Sequence, residues 1–193
     1  MLHASVLGHG RQSGLAACKA RQHCAGISRP ICGEGVLGER LDRHERLRHV
    51  IRSLGQWHEQ WLFCGASAAV MHGLECSYRQ LYPIHVAVDR CRRSKNQTNV
   101  RYHVLNDPDA VVVDGVHVTS VQRTLVDCAA MMPFRYALAP IDSALRQGRT
   151  TIESLLAYVD ALPMLRDRER IRSVIVKGNG GSENGGESEC RAG

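Results

Sequence analysis

The sequence predicts an α+β domain: a small, mainly antiparallel sheet covered by helices, between a poorly ordered N-terminal arm and a Gly-rich C-terminal tail. Three observations carry that prediction. A chain of 193 residues with 44% hydrophobic content holds enough apolar side chain for one ordinary core. Apolar and polar residues alternate over residues 84–88 and 100–104, and Asp114-Gly115 divides two β-branched runs. That dipeptide is a strong hairpin signal because both positions tolerate positive φ. Before and after this strand-rich stretch, apolar residues recur at helical spacing.

Taken in order, the first element starts at Asp42, which with Glu45 makes a capping-box-like signal. Leu47, Val50, Ile51 and Leu54 form one apolar stripe, and Gly55 is expected to end the helix. Arg43, Arg46 and Arg52 fall on its solvated face, while Trp57 and Trp61 are expected to cover the core. Residues 67–74 predict a short Ala-rich helix, with Val70 and Leu74 four apart, Gly65 or Ser67 at its start and Gly73 at its end. Ile84, Val86 and Val88, then Val100, Tyr102 and Val104, give two half-buried strands. After the hairpin, Thr119 or Ser120 caps a helix whose apolar face holds Val121, Leu125, Cys128 and Met132. On the same helix Arg123 and Asp127, four apart, can pair. Pro133 suits the first turn of the next helix (residues 134–147), Pro140 is expected to kink it and Gly148 to close it. Thr150 and Glu153 supply another capping box, and Asp167 starts a last helix with Ile171, Val174 and Ile175 as its apolar residues.

Bulk properties narrow the partners. Lys and Arg outnumber Asp and Glu by 25 to 19, a net charge of +6 that suits a polyanion without demanding one. No apolar run approaches the roughly 18 residues of a membrane helix and no signal-peptide core is visible, so a cytoplasmic protein with no membrane partner is expected. The eight cysteines include no C-x-x-C pair, so no metal is expected, and Cys64 and Cys128 read as small buried hydrophobes. Without a P-loop or a G-x-G-x-x-G run, no nucleotide cofactor is expected either.

Three motifs follow one another around the strands. They are S-A-A-x-x-H-G-L (Ser67, Ala68, Ala69, His72, Gly73, Leu74), V-T-S-x-x-R-T-L-x-D (Val118, Thr119, Ser120, Arg123, Thr124, Leu125, Asp127) and D-x-A-L-R (Asp142, Ala144, Leu145, Arg146). In this order and spacing they resemble the AbiEi-type antitoxins and transcriptional regulators of type IV toxin–antitoxin systems, especially the actinobacterial branch, from about Asp42 to the C-terminus. The resemblance implies a noncatalytic protein that regulates transcription by contacting duplex DNA or neutralises a cognate toxin. It makes residues 39–177 the antitoxin-like core. Similar proteins carry a winged helix-turn-helix where residues 1–38 stand; here that segment has four basic residues before Glu34 and no pair of amphipathic helices. It reads as a basic arm or an eroded winged helix. Residues 178–193 read as a linker by composition. Related long members continue from a run resembling S-E-N-G-G-E-S-x-x-R into a nuclease domain similar to the very-short-patch-repair endonucleases, whose first metal-binding acid would match Glu183 or Glu187. A second expectation is therefore the accessory N-terminal part of a DNA endonuclease, inactive in this form because no further carboxylate or lysine completes a metal site.

The densest basic patch is Arg90, Arg92, Arg93 and Lys95 in the connection between two strands, with Arg101 on the second of them. It is open to two readings, a solvated loop or a contact with nucleic-acid phosphate or an acidic partner. Ser67 and His72, five apart on one helix, do not aim at a common atom, and no Asp is placed to orient a base between them. His72 is expected to bond backbone at the helix end. Ser67, His72, Arg123 and Asp127 stand as motif residues of structural or functional role, and no catalytic residue is expected.

Overall fold

The computed structural model describes residues 42–89, 98–106, 108–163, 165–182 and 184–191. The expected N-terminal arm lies outside the described residues. Among these residues the chain runs α1 (Arg43–Trp57), β1 (Leu62–Phe63), α2 (Gly65–Met71), a 3₁₀ turn (Tyr78–Gln80), β2 (Ile84–Val88), β3 (Val100–Val104), β4 (Ala110–Val113) and β5 (Val116–Thr119). Five helices follow: α3 (Val121–Met131), α4 (Phe134–Arg146), α5 (Ile152–Ala161), α6 (Arg168–Val176) and α7 (Gly185–Arg191). The fold is α+β, with seven helices and one five-stranded sheet among the described residues.

The sheet corrects the antiparallel expectation. Its order is β3-β2-β1-β5-β4, and it is mixed: β1–β2 and β4–β5 are antiparallel, β2–β3 and β1–β5 parallel. A two-residue turn forces only its own pair to be antiparallel, whereas the connection 89–99 is long enough to return the chain to the start of the next strand. Alternation within a strand reports which face is buried and says nothing about direction. β1 is two residues long, too short for any periodicity, yet it joins the two halves: Phe63 pairs with Val86 on one side and Val118 on the other. All three side chains are buried on one face of the sheet.

Local signals held where the chain itself satisfies them. Asp42 accepts from the backbone of His44 and Glu45 to start α1, and Ser120, rather than Thr119, caps α3 by accepting from Arg123 N. Asp114 and Gly115 turn the hairpin with φ of 50° and 77°. Other local signals yielded to packing. Gly55 lies inside α1, which runs on to Trp57, because a Cβ there would stand 3.1 Å from both γ-carbons of Val116; the glycine lets α1 approach β5 closely. Trp61 is buried edge-on to Phe63 and Tyr102, whereas Trp57 is 70% exposed and covers nothing of the core. Thr151, not Thr150, caps α5 by accepting from Ser154 N at 3.2 Å. α4 continues through Pro140 without a break. Cys64 and Cys128 are fully buried, and burial pushes both thiols well up from their ordinary range.

Candidate functional site

The motif residues meet where α2, β5 and α3 join. Val118 and Thr119 end β5, Ser120 caps α3, and the helix it starts turns Arg123, Thr124 and Asp127 into the core. Arg123 donates from Nε to Asp127 Oδ1 at 3.0 Å and from Nη1 to the Asn106 carbonyl at 3.0 Å, tying α3 to the chain before β4. His72, at the end of α2, donates from Nε2 to the Thr119 carbonyl at 2.7 Å, and Thr124 Oγ1 donates to that same carbonyl at 3.1 Å. Ser67 Oγ accepts from His85 N at 2.9 Å. Ser67 thus faces β2 and His72 faces the end of β5, as five-residue spacing on one helix requires.

Burial sets the electrostatics here. It pushes Asp127 up to about 6 against the pull of Arg123, and Asp127 Oδ2 has no hydrogen-bond partner among the described residues. Burial also lowers His72, with the Thr119 bond opposing and the Arg149 charge assisting. A neutral imidazole that donates to a carbonyl is a helix-end fastener.

Of the basic cluster, Arg90, Arg92, Arg93 and Lys95 lie outside the described residues, as does Glu183. Arg101 is exposed on the edge strand β3, opposite His85 in register. Across the described residues acidic and basic side chains nearly balance, so most of the +6 surplus comes from the other segments. Beside Arg101, sequence reasoning missed a histidine pair: His85 Nδ1 and His103 Nε2 are 2.8 Å apart, their rings stacked at 5.0 Å. One ring must accept, so both cannot be cationic. Burial, then His103 and Arg101, push His85 down to about 4, and burial with Arg101 lowers His103. Among the described residues no group of three or more His, Cys, Asp or Glu is placed to hold a metal ion.

The segment read as a linker is instead docked on α4. Asp142 Oδ1 accepts from Asn179 N at 2.6 Å and Oδ2 from Arg191. Glu75 Oε1 accepts from Arg146 Nη2 and Oε2 from Gly185 N, each at 2.6 Å. Asp142 and Arg146 are the motif residues of D-x-A-L-R, and Glu75 directly follows H-G-L. The glycines belong to the same contact: a Cβ on Gly178 would meet Ile141 Cγ2 at 2.8 Å, and one on Gly185 would meet the Ala139 Cβ at 3.3 Å. Composition gives glycine two meanings, freedom or close approach, and only the partner surface distinguishes them. Glu187 lies exposed on α7, its backbone N donating to Asn184 Oδ1 at 3.1 Å.

No family model, curated protein or solved structure matches this chain.

Proposed function

We propose that the chain acts by binding, as a noncatalytic AbiEi-type antitoxin or DNA-contacting regulator. One observation carries this reading: the motif side chains are spent on internal bonds. Ser67, His72, Arg123 and Thr124 each fasten one element to another, and a nucleophile with its base would instead have to converge on open space. DNA contact is supported by charge. The eight residues 90–97 carry four cations and no acid, and Arg101 is exposed on the strand they lead into.

A salt titration of duplex affinity tests it. Four phosphate contacts give a log–log slope of roughly −3 to −4, and replacing Arg90, Arg92, Arg93 and Lys95 with Ala should flatten it while the circular dichroism spectrum stays unchanged. A wild type that ignores duplex at low salt, or a variant that keeps the full slope, removes the DNA arm and leaves toxin neutralisation.

The docked C-terminal segment favours a second reading, the accessory N-terminal part of a DNA endonuclease. Such a domain has to hold its junction with a catalytic part in place. Asn179, Gly185 and Arg191 are fixed in that way, and Glu187, one of the two acids the resemblance matches to a metal ligand, sits on the docked helix.

A further inference from the structure

We propose that the surface shared by the start of α1, the 3₁₀ turn Tyr78–Gln80 and the start of α4 binds single-stranded nucleic acid. Its residues alternate in kind. The Arg43 guanidinium lies over the Tyr78 ring, 5.3 Å from its centroid; Arg79 donates from Nη1 to Tyr136 Oη at 3.3 Å; the Arg135 guanidinium lies 5.7 Å from the centre of the Tyr136 ring. Those contacts link three elements into one ribbon of cations and rings. Tyr78 is 54% exposed, and Tyr82, four residues on, is 56% exposed. The chain has five tyrosines, and two of them, Tyr78 and Tyr136, make these contacts.

Charge selects the ligand. Arg52, Arg123, Arg146 and Arg191 each hold an acid, whereas Arg43, Arg79 and Arg135 have no carboxylate partner among the described residues. These three cations rest instead on π faces or a phenol, which orients them without neutralising them. A flat ring beside an unneutralised guanidinium matches a base beside its phosphate. A single strand offers both at successive nucleotides, and a duplex hides its base faces in the stack. An acidic protein surface would satisfy the cations and leave the exposed rings without a matching partner.

Fluorescence anisotropy with the full chain tests the proposal, using a labelled oligo(dT) of roughly 12 nucleotides, a hairpin duplex of the same length and polyglutamate as competitor. The single strand should bind at low salt. Tyr78→Ala should weaken it about tenfold while Tyr78→Phe stays within about twofold of wild type, because the ring and not the hydroxyl does the stacking. Arg79→Gln with Arg135→Gln should reduce the salt slope by about 1.4, at roughly 0.7 per single-strand phosphate, and carries the test alone if thermal melting shows Tyr78→Ala unfolded. Duplex affinity should not change in any of these variants. The proposal is overturned if oligo(dT) does not bind at low salt, if the Tyr78→Ala and Tyr78→Phe losses are equal, or if the double arginine variant keeps the wild-type slope. Polyglutamate displacing oligo(dT) at equal charge concentration would overturn it too, and would assign the ribbon to an acidic protein.

Discussion

Arg123 and Asp127 meet inside the core at the start of α3, whereas Arg146 with Glu75 and Arg191 with Asp142 meet at the rim of α4, where the arginines stay partly open to water. The chemistry is the same in both places, and the consequences differ. Inside the core, removing one partner strands a charge that water cannot reach, which costs about 3–5 kcal/mol. At the rim water takes over a lost partner in the half-exposed Arg146–Glu75 pair, which contributes about 0–1 kcal/mol, while the buried Asp142 keeps the Asn179 N–H if Arg191 is lost. The rim contact therefore depends on something besides its ions. Glycines let the tail backbone lie against Ile141 and Leu145, and backbone N–H groups of Asn179 and Gly185 reach the two carboxylates.

Asp127→Ala should accordingly give the largest effect, a loss of about 3–5 kcal/mol in urea unfolding, against at most about 1 kcal/mol for Asp160→Ala, whose exposed carboxylate pairs with Arg172. Equal small losses would erase the distinction between core and rim. Gly178→Ala is next. Its Cβ has to displace Ile141 Cγ2 at 2.8 Å and the Ile175 carbonyl at 3.0 Å, which costs about 1–3 kcal/mol. Hydrogen exchange over residues 179–191 should speed up in that variant, and Gly181→Ala, whose Cβ would approach only the Asn179 side chain, should leave it unchanged. If both variants exchange alike, the ions and not the glycines hold the tail.

Acid produces the smallest effect near neutrality, and a growing one below it. The folded-state value of Asp127, about 6, lies above its ordinary 3.8, so the folded chain binds the extra proton in that window and gains stability as pH falls through it. His72, His85 and His103 are lowered, so the unfolded chain takes their protons first and stability is lost as pH falls below 6.5. The two trends oppose each other in the wild type. Asp127→Asn removes the gain and leaves the loss, so its urea midpoint should fall more steeply than that of the wild type between pH 6.5 and 4.5. Parallel slopes would mean that Asp127 is not raised by burial.

Much of the junction was legible because its signals are local. Ser120 caps the helix it precedes, Arg123 reaches Asp127 within one turn, and Asp114-Gly115 can close only the hairpin it sits in. Each depends on atoms a few residues apart, so the sequence carries both partners side by side. The rim contact was illegible for the converse reason: Glu75 and Gly185 are 110 residues apart, and Asp142 and Arg191 are 49 apart. The ribbon of tyrosines and arginines was missed in the same way, since Tyr78 and Arg43 come from one end of the core and Tyr136 from the other.

By itself the sequence determined the existence and type of most elements and the caps of α1 and α3, because periodicity and capping are properties of neighbouring residues. Tertiary structure alone decided the direction of β3, the central place of the two-residue β1, the passage of α1 through Gly55 and the docking of the glycine-rich tail. In each of these a backbone is paired or approached by a distant surface, and a glycine or a two-residue strand has no pattern of its own until that surface is present.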